Sequence, residues 1–219
     1  MEQLIKAFES LNMNIDEATR QKFKKFMELV LEWNEKVNLT SITDKKDFVK
    51  KHFVDSIICA GFDEIKGANS IIDVGTGAGF PGVPLALVFP EKRFSLIDAT
   101  RKKIQILNGI LETLEIPNVE LRHGRAEELS RNEAYSEKFD LCVSRAVANL
   151  KVLVAYCLPF VTIDGCFFSY KGSSANKEAK ESESVIKSFG GEIIAIRKVK
   201  LEGFDLDHNI VVIKKVKRK

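Results

Sequence analysis

No apolar run in this chain approaches the roughly 20 residues that a membrane span needs. The opening segment MEQLIKAFES lacks the basic region and apolar stretch of a secretory signal. Both absences predict a soluble, cytoplasmic protein with no membrane partner. Cysteine is sparse: the four present, Cys59, Cys142, Cys157 and Cys166, show no C-x-x-C spacing and sit among apolar neighbours. That predicts reduced core thiols instead of a disulfide or zinc framework. The three histidines, His52, His123 and His208, are scattered, so no bound metal is expected. No Ser-His-Asp or Cys-His set stands out, which leaves covalent nucleophilic catalysis without a candidate.

A strong excess of one charge is lacking too, since 34 Lys and Arg oppose 31 Asp and Glu for a net +3. The charge is unevenly placed, however. KFKK (22–25), DKKDFVKK (44–51), RKK (101–103) and the closing KKVKRK (214–219) suit a polyanionic partner, or else are solvated faces. With 45% hydrophobic residues in 219, a substantial core is available and disorder is not expected.

The first 66 residues read as helical. Phe23, Phe26, Val30, Trp33 and Val37 are spaced 3, 4, 3 and 4 and form one apolar stripe, and Phe48, Phe53, Ile57 and Ala60 suggest another. Asn14 with Glu17 three residues later predicts a helix start, and the polar, β-branched NLTSIT (38–43) should interrupt the helices. From residue 69 the rhythm changes to short apolar runs alternating with amphipathic segments, the pattern of strands and crossover helices. Strands are predicted at 70–74, 93–98, 119–123, 139–144, 166–171, 192–199 and 209–216, with helices at about 83–89, 100–114, 126–132, 149–158 and 174–188. Only about nine residues, LEGFDLDHN, join the last two strands, too few for a parallel crossover, so these two should be antiparallel. An α/β fold with a seven-stranded, mostly parallel sheet, an antiparallel last strand and an N-terminal helical extension (1–66 before 67–219) resembles the class I, Rossmann-like methyltransferases.

The stretch IIDVGTGAGFPG (71–82) follows the first strand and fits two frames. Gly77, Gly79 and Gly82 match the G-x-G-x-x-G of a pyrophosphate-binding loop. Asp73, Gly75, Gly77 and Gly79 match D-x-G-x-G-x-G, which suits a methyl donor without phosphate. A tight turn with no ligand is the plain alternative. Asp73 favours the second frame, because a carboxylate suits a ligand ammonium and repels a pyrophosphate. Asp98 ends the second strand 23 residues beyond Gly75, where a carboxylate accepts the hydroxyls of an adenosine ribose. Ala126 and Glu127, in RHGRAEEL (122–129), fall at the cleft edge beside an adenine, unless Glu127 is only a helix-start carboxylate facing water. Ser144 and Arg145 end the fourth strand near the topological switch point. Arg145 would clamp a donor carboxylate, contact a target base or bind an RNA phosphate, or else pair with Glu127 or Asp98. Lys171, in FFSYKG, is a further basic candidate for base or phosphate at this edge.

In order along the chain, WNEKVNLTSIT, HFVDS, DVGTGAGFPGVPLAL, GRAEEL, SRAVANL and YKG resemble the bacterial 16S ribosomal RNA guanine-N7 methyltransferase family, also called glucose-inhibited division protein B. The resemblance runs from about residue 30 to the C-terminus. It implies transfer of a methyl group from S-adenosylmethionine to N7 of one guanine in small-subunit ribosomal RNA, free or in a ribosomal particle, by a monomeric enzyme. It also implies donor contacts at Gly75, Phe80, Ala126, Glu127 and Arg145, with Asp98 and its neighbour Ala99 on the ribose, and the glycine frame adds Gly77 to the expected donor contacts. Ala99 and Thr100 stand where a serine and a longer residue are usual, and His208 where arginine is common.

The chemistry agrees with the absences. Guanine N7 carries an in-plane lone pair and is unprotonated at neutral pH, so it attacks a sulfonium methyl without a general base. Catalysis then rests on positioning, worth up to roughly 7 to 11 kcal/mol in well-oriented cases. Cytosine-C5 methylation needs a cysteine nucleophile, and exocyclic-amine methylation usually shows an Asn- or Asp-Pro-Pro-aromatic run where this chain has Ser144-Arg145-Ala146. His52 and Asn38 are placed to hold RNA or cap the cleft, or serve as structural hydrogen-bonding groups. A nicotinamide-dependent oxidoreductase and a non-catalytic RNA-binding module are the competing classes.

Overall fold

The apolar stripes do form helices, but their ends differ from the expected ones. The computed structural model describes residues 1–201, 203–204 and 208–218. Its N-terminal region holds α1 (Glu2–Ser10), α2 (Glu17–Asn34), α3 (Lys45–Phe48), a π-helical stretch (Val49–Val54), α4 (Asp55–Ile57) and α5 (Asp63–Gly67). The cap of α2 is Asp16, whose carboxylate accepts the Thr19 N–H at 2.7 Å, and not Asn14; the shorter reach to the N3 amide decides this. Phe23, Phe26 and Val30 are fully buried. The helix ends at Asn34, which leaves Trp33 37% exposed under the Lys36 ammonium and takes Val37 off the stripe. The second stripe, Phe48, Phe53, Ile57 and Ala60, is wholly buried, and residues 38–43 are non-helical as expected.

Next come β1 (Ser70–Val74), α6 (Gly82–Val88), β2 (Arg93–Asp98), α7 (Arg101–Leu114), β3 (Val119–His123), α8 (Ala126–Leu129) and β4 (Phe139–Arg145). The chain finishes with α9 (Leu150–Cys157), β5 (Val161–Lys171), α10 (Ala175–Ser188), β6 (Gly191–Val199) and β7 (His208–Lys215). The seven strands lie in the order β3-β2-β1-β4-β5-β7-β6. Pairings among β1 to β5 are parallel, whereas β7 runs antiparallel to both β5 and β6. This is the class I methyltransferase sheet. Strand β7 inserts between β5 and β6 for a visible reason: Ile210, Val211, Val212 and Ile213 are fully buried and need cover on both faces. The more polar β6 takes the edge, with Ile194 46% exposed. Glu202 and residues 205–207 of the connecting LEGFDLDHN, and Lys219 of the closing basic run, lie outside the described residues.

One face of the sheet packs on α6, α7 and the N-terminal helices, with Phe26 and Phe53 in ring contact with Phe80. The other face packs on α9 and α10. All four cysteines are buried there or at the first face. The closing basic run is not one exposed patch, because Lys215 is buried, donating to the Leu158 carbonyl at 3.0 Å and pairing with Glu137.

Gly82 opens α6 against the sheet. A Cβ there would lie 2.7 Å from Leu96 Cγ and 2.8 Å from Asp73 Oδ2. Gly82→Ala should therefore lose about 1–3 kcal/mol of stability through overpacking, read as a lower urea midpoint at unchanged slope.

Candidate active site

Strand order reverses between β1 and β4, so a crevice opens outside their carboxyl ends. After Val74 the chain turns through Gly75, Gly77 and Gly79, at φ +77°, +59° and +98°, a left-handed run that side chains other than glycine resist. The loop is tied down on two sides. Gly77 N–H donates to Asp98 Oδ2 at 2.9 Å, while Asp98 Oδ1 accepts the Thr100 N–H at 2.7 Å. Asp73 Oδ2 accepts the Gly82 N–H at 2.9 Å. That last bond removes the Gly82 amide from any phosphate and counts against the pyrophosphate frame.

Asp73 has no exposed surface. Its Oδ1 is close to the Thr76 hydroxyl, a contact that lowers the carboxyl, but neither buried atom makes a hydrogen bond of good geometry with a described residue. Burial pushes the Asp73 carboxyl up to about 7, against the lowering from Thr76 and the Gly82 amide. An unsatisfied buried acceptor is costly, and here it sits under the glycine loop.

Beside the loop lies a cleft of ≈ 130 Å³ bounded by Gly75, Asp98, Ala99, Ala126, Glu127, Val147 and Tyr156. Five residues singled out in the sequence thus meet in one place. Glu127 is half-buried there, with no bond to another described residue. Val147 leans over the loop so closely that a Cβ on Gly75 would collide with its Cγ2.

A second cavity of ≈ 410 Å³ is walled by Lys51, His52, Asp55, Arg145, Ala146, Lys171 and His208 among others. Arg145 lies here. Its guanidinium pairs with Asp55 and donates to the Lys51 carbonyl at 3.0 Å, so its acidic partner is neither Glu127 nor Asp98. Strand alternation explains this: Ser144 turns the other way, its hydroxyl donating to the Val74 carbonyl at 2.8 Å, and Arg145 projects from the opposite face. Lys171 donates to the Ala148 carbonyl and pairs with Glu178, both at 2.8 Å. Phe80 is buried, with its ring stacked on His52 at 4.3 Å and 8°.

His52 is held between Thr40, 2.7 Å from Nε2, and Arg145, 3.2 Å from Nδ1. Burial, helped by the Arg145 charge, brings its pKa down to about 4, so the ring is neutral at physiological pH. Asp55 also bonds His208 Nδ1 at 2.9 Å. Burial alone would raise its carboxyl, but His208 and Arg145 outweigh that and lower it. Asp55, His208, Val147, Tyr156 and Glu178 were not among the sequence candidates. HFVDS, which contains Asp55, SRAVANL, which contains Val147, and the departure at His208 carried a signal for three of them.

The sequence profile of the rRNA small subunit methyltransferase G family matches residues 19–209. A protein called ribosomal RNA small subunit methyltransferase G from Clostridium perfringens is 43% identical over 212 residues, 97% of this chain and 89% of its own length. The Clostridium kluyveri protein of that name is 44% identical over 206 residues, 94% of this chain and 86% of its own. Among solved structures, M. jannaschii TYW2 in complex with AdoMet superposes with a TM-score of 0.57 at 14% identity, over 80% of each chain. A ribosomal protein L11 methylase from Lactobacillus delbrueckii subsp. bulgaricus gives 0.56 at 13%, over 76% of this chain and 79% of that one. The two structures share the fold, while the sequence matches run through the glycine loop, the Arg145 segment and most of the N-terminal helices, and so this chain belongs to the rRNA small subunit methyltransferase G family.

Proposed function

We propose that the protein transfers the methyl group of S-adenosylmethionine to N7 of a guanine in small-subunit ribosomal RNA. The observation that carries this reading is the juxtaposition of two cavities across one wall. The first pairs a glycine loop with carboxylates; the second is lined by cations, and Arg145, Ala146 and Val147 stand between them.

The residues fit the donor. The Asp73 carboxyl, fully buried under the glycine loop, suits its ammonium group once the loop admits it. Each Asp98 oxygen accepts one backbone N–H and keeps a lone pair for a ribose hydroxyl. Ala126 and Glu127 border the place for the adenine. The bound donor supplies a sulfonium methyl, an electrophile that needs no metal. On the acceptor side, Lys51, Arg145 and Lys171, paired with Asp47, Asp55 and Glu178, can exchange those carboxylates for RNA phosphate, and neutral His52 adds no charge of its own. Because guanine N7 needs no proton removed, the residues only have to orient it and exclude water.

On this reading residues 67–219 are the methyltransferase domain, and the helices of 1–66 wall the acceptor cavity. Ribosomal RNA as the substrate would put this activity in the cytoplasm, where we propose that the protein acts as a monomer; among the described residues no helix is long and apolar enough to cross a membrane. The test is transfer of labelled methyl to small-subunit ribosomal RNA and to assembled small subunits, with mass spectrometry of the product nucleoside. Label in 7-methylguanosine is expected. Transfer to neither substrate, or to another atom, would overturn the proposal. Gly75→Asp, which puts a side chain at φ +77° into Val147, should abolish transfer.

A further inference from the structure

The proposed donor cleft is narrow. At ≈ 130 Å³ it falls well below the roughly 300–1,000 Å³ of ordinary small-molecule sites. One of its lining side chains leans onto the glycine loop. Val147 lies over Gly75, yet 40% of it stays exposed to solvent. It is therefore not core packing.

We propose that the segment 145–149 is a strap that occupies part of the donor's seat in the free enzyme, and that the donor must lift Val147 to bind. This rests on the reading of the cleft as the donor site. The strap is poised: Ala146 sits at φ +56°, a left-handed conformation that alanine rarely adopts. It is also held at both ends by groups belonging to the other cavity. Arg145 is fastened to Asp55 and the Lys51 carbonyl. At the far end Lys171 holds the Ala148 carbonyl, and the Glu178 carboxylate accepts the Leu150 N–H at 2.8 Å while pairing with Lys171. Arg145, Ala146 and Lys171 also wall the acceptor cavity. Lifting Val147 from Gly75 therefore shifts the groups that meet the RNA.

Two consequences follow from linkage. The donor favours the lifted strap only by its differential affinity for that state, so a smaller side chain at 147 removes a competitor and tightens donor binding. If RNA also favours the lifted strap, donor and RNA each tighten the other by one common factor. The strap would then couple the two cavities, so that a filled donor seat and an occupied acceptor cavity favour each other.

Calorimetry of the full chain with S-adenosylhomocysteine tests this. Val147→Ala should bind it about 3- to 10-fold more tightly than wild type and Val147→Leu more weakly. In wild type, amide exchange at 146–150 should change when S-adenosylhomocysteine binds, and affinity for small-subunit RNA should rise with it; in Val147→Ala that rise should shrink. Unchanged or weaker binding by Val147→Ala would make Val147 a donor contact or a bystander and overturn the strap. Failure of wild type to bind S-adenosylhomocysteine at all would instead sink the reading of the cleft, so the two failures are distinguishable.

Discussion

Asp73→Asn is expected to raise stability at pH 8 and, in the same protein, to weaken donor binding by about 10- to 100-fold, the worth of one charge-assisted hydrogen bond. The stability half follows from burial. The folded-state pKa is raised from 3.8 to about 7, so between those values the folded protein holds a proton that the unfolded chain gives up. Stability from this group is full below about pH 4 and is lost as pH rises through 7. A shift of that size corresponds to about 4 kcal/mol as an order of magnitude. Asparagine removes the charge and keeps an acceptor for the Gly82 N–H. Its amide also brings a donor to the orphaned Thr76 hydroxyl. Urea unfolding of both proteins at pH 5 and pH 8 should show the gap widening toward pH 8. Loss of stability at pH 8, or unchanged donor affinity by calorimetry, would remove Asp73 from the site.

Asp55→Ala should destabilise the fold by about 3–5 kcal/mol, as expected when one partner of a buried ion pair is removed, and should also depress methyl transfer. The Arg145 and Asp55 side chains are 12% and 6% exposed, so neither charge is screened once the other is gone. Asp55→Asn keeps an acceptor for Arg145 and should recover part of the stability. If alanine and asparagine prove equally stable to wild type in urea, the pair does not join the N-terminal helices to the sheet.

The acid limb reads the same cluster. The Asp55 carboxyl is lowered, so its contribution is present above the unfolded value of 3.8 and is lost as pH falls. His52, depressed from 6.5 to about 4, acts in the same direction by a different route. The unfolded chain takes up the proton first, so the fold weakens as pH drops from about 6.5 to 4, with no effect above. His52→Gln should flatten the stability profile over that window while leaving pH 8 nearly unchanged.

Much of the fold was legible because local rules sufficed. The strands 70–74, 93–98 and 119–123 match β1, β2 and β3 end to end, since short apolar runs bounded by turn residues report burial directly. The short final connection correctly predicted an antiparallel pair. The glycine loop and Asp98 were legible for a related reason: a chain that turns at left-handed φ beside a ligand has few residue choices. Strand β5 was less so. It begins at Val161 and not Cys166, because a register shift against β4 carries it through Thr162 and Gly165, half-buried, and Ile163 and Asp164, exposed, a stretch that lacks a continuous apolar signature.

By itself the sequence determined the elements, the parallel sheet with one reversed strand, and the family, all properties of residue order and spacing. Tertiary structure alone decided that β7 enters between β5 and β6, that Arg145 finds Asp55 across 90 residues and that Val147 lies on Gly75. Spacing reports which face of an element is apolar. It does not report which distant side chain fills the space opposite, because that choice is made by the packing of the whole core.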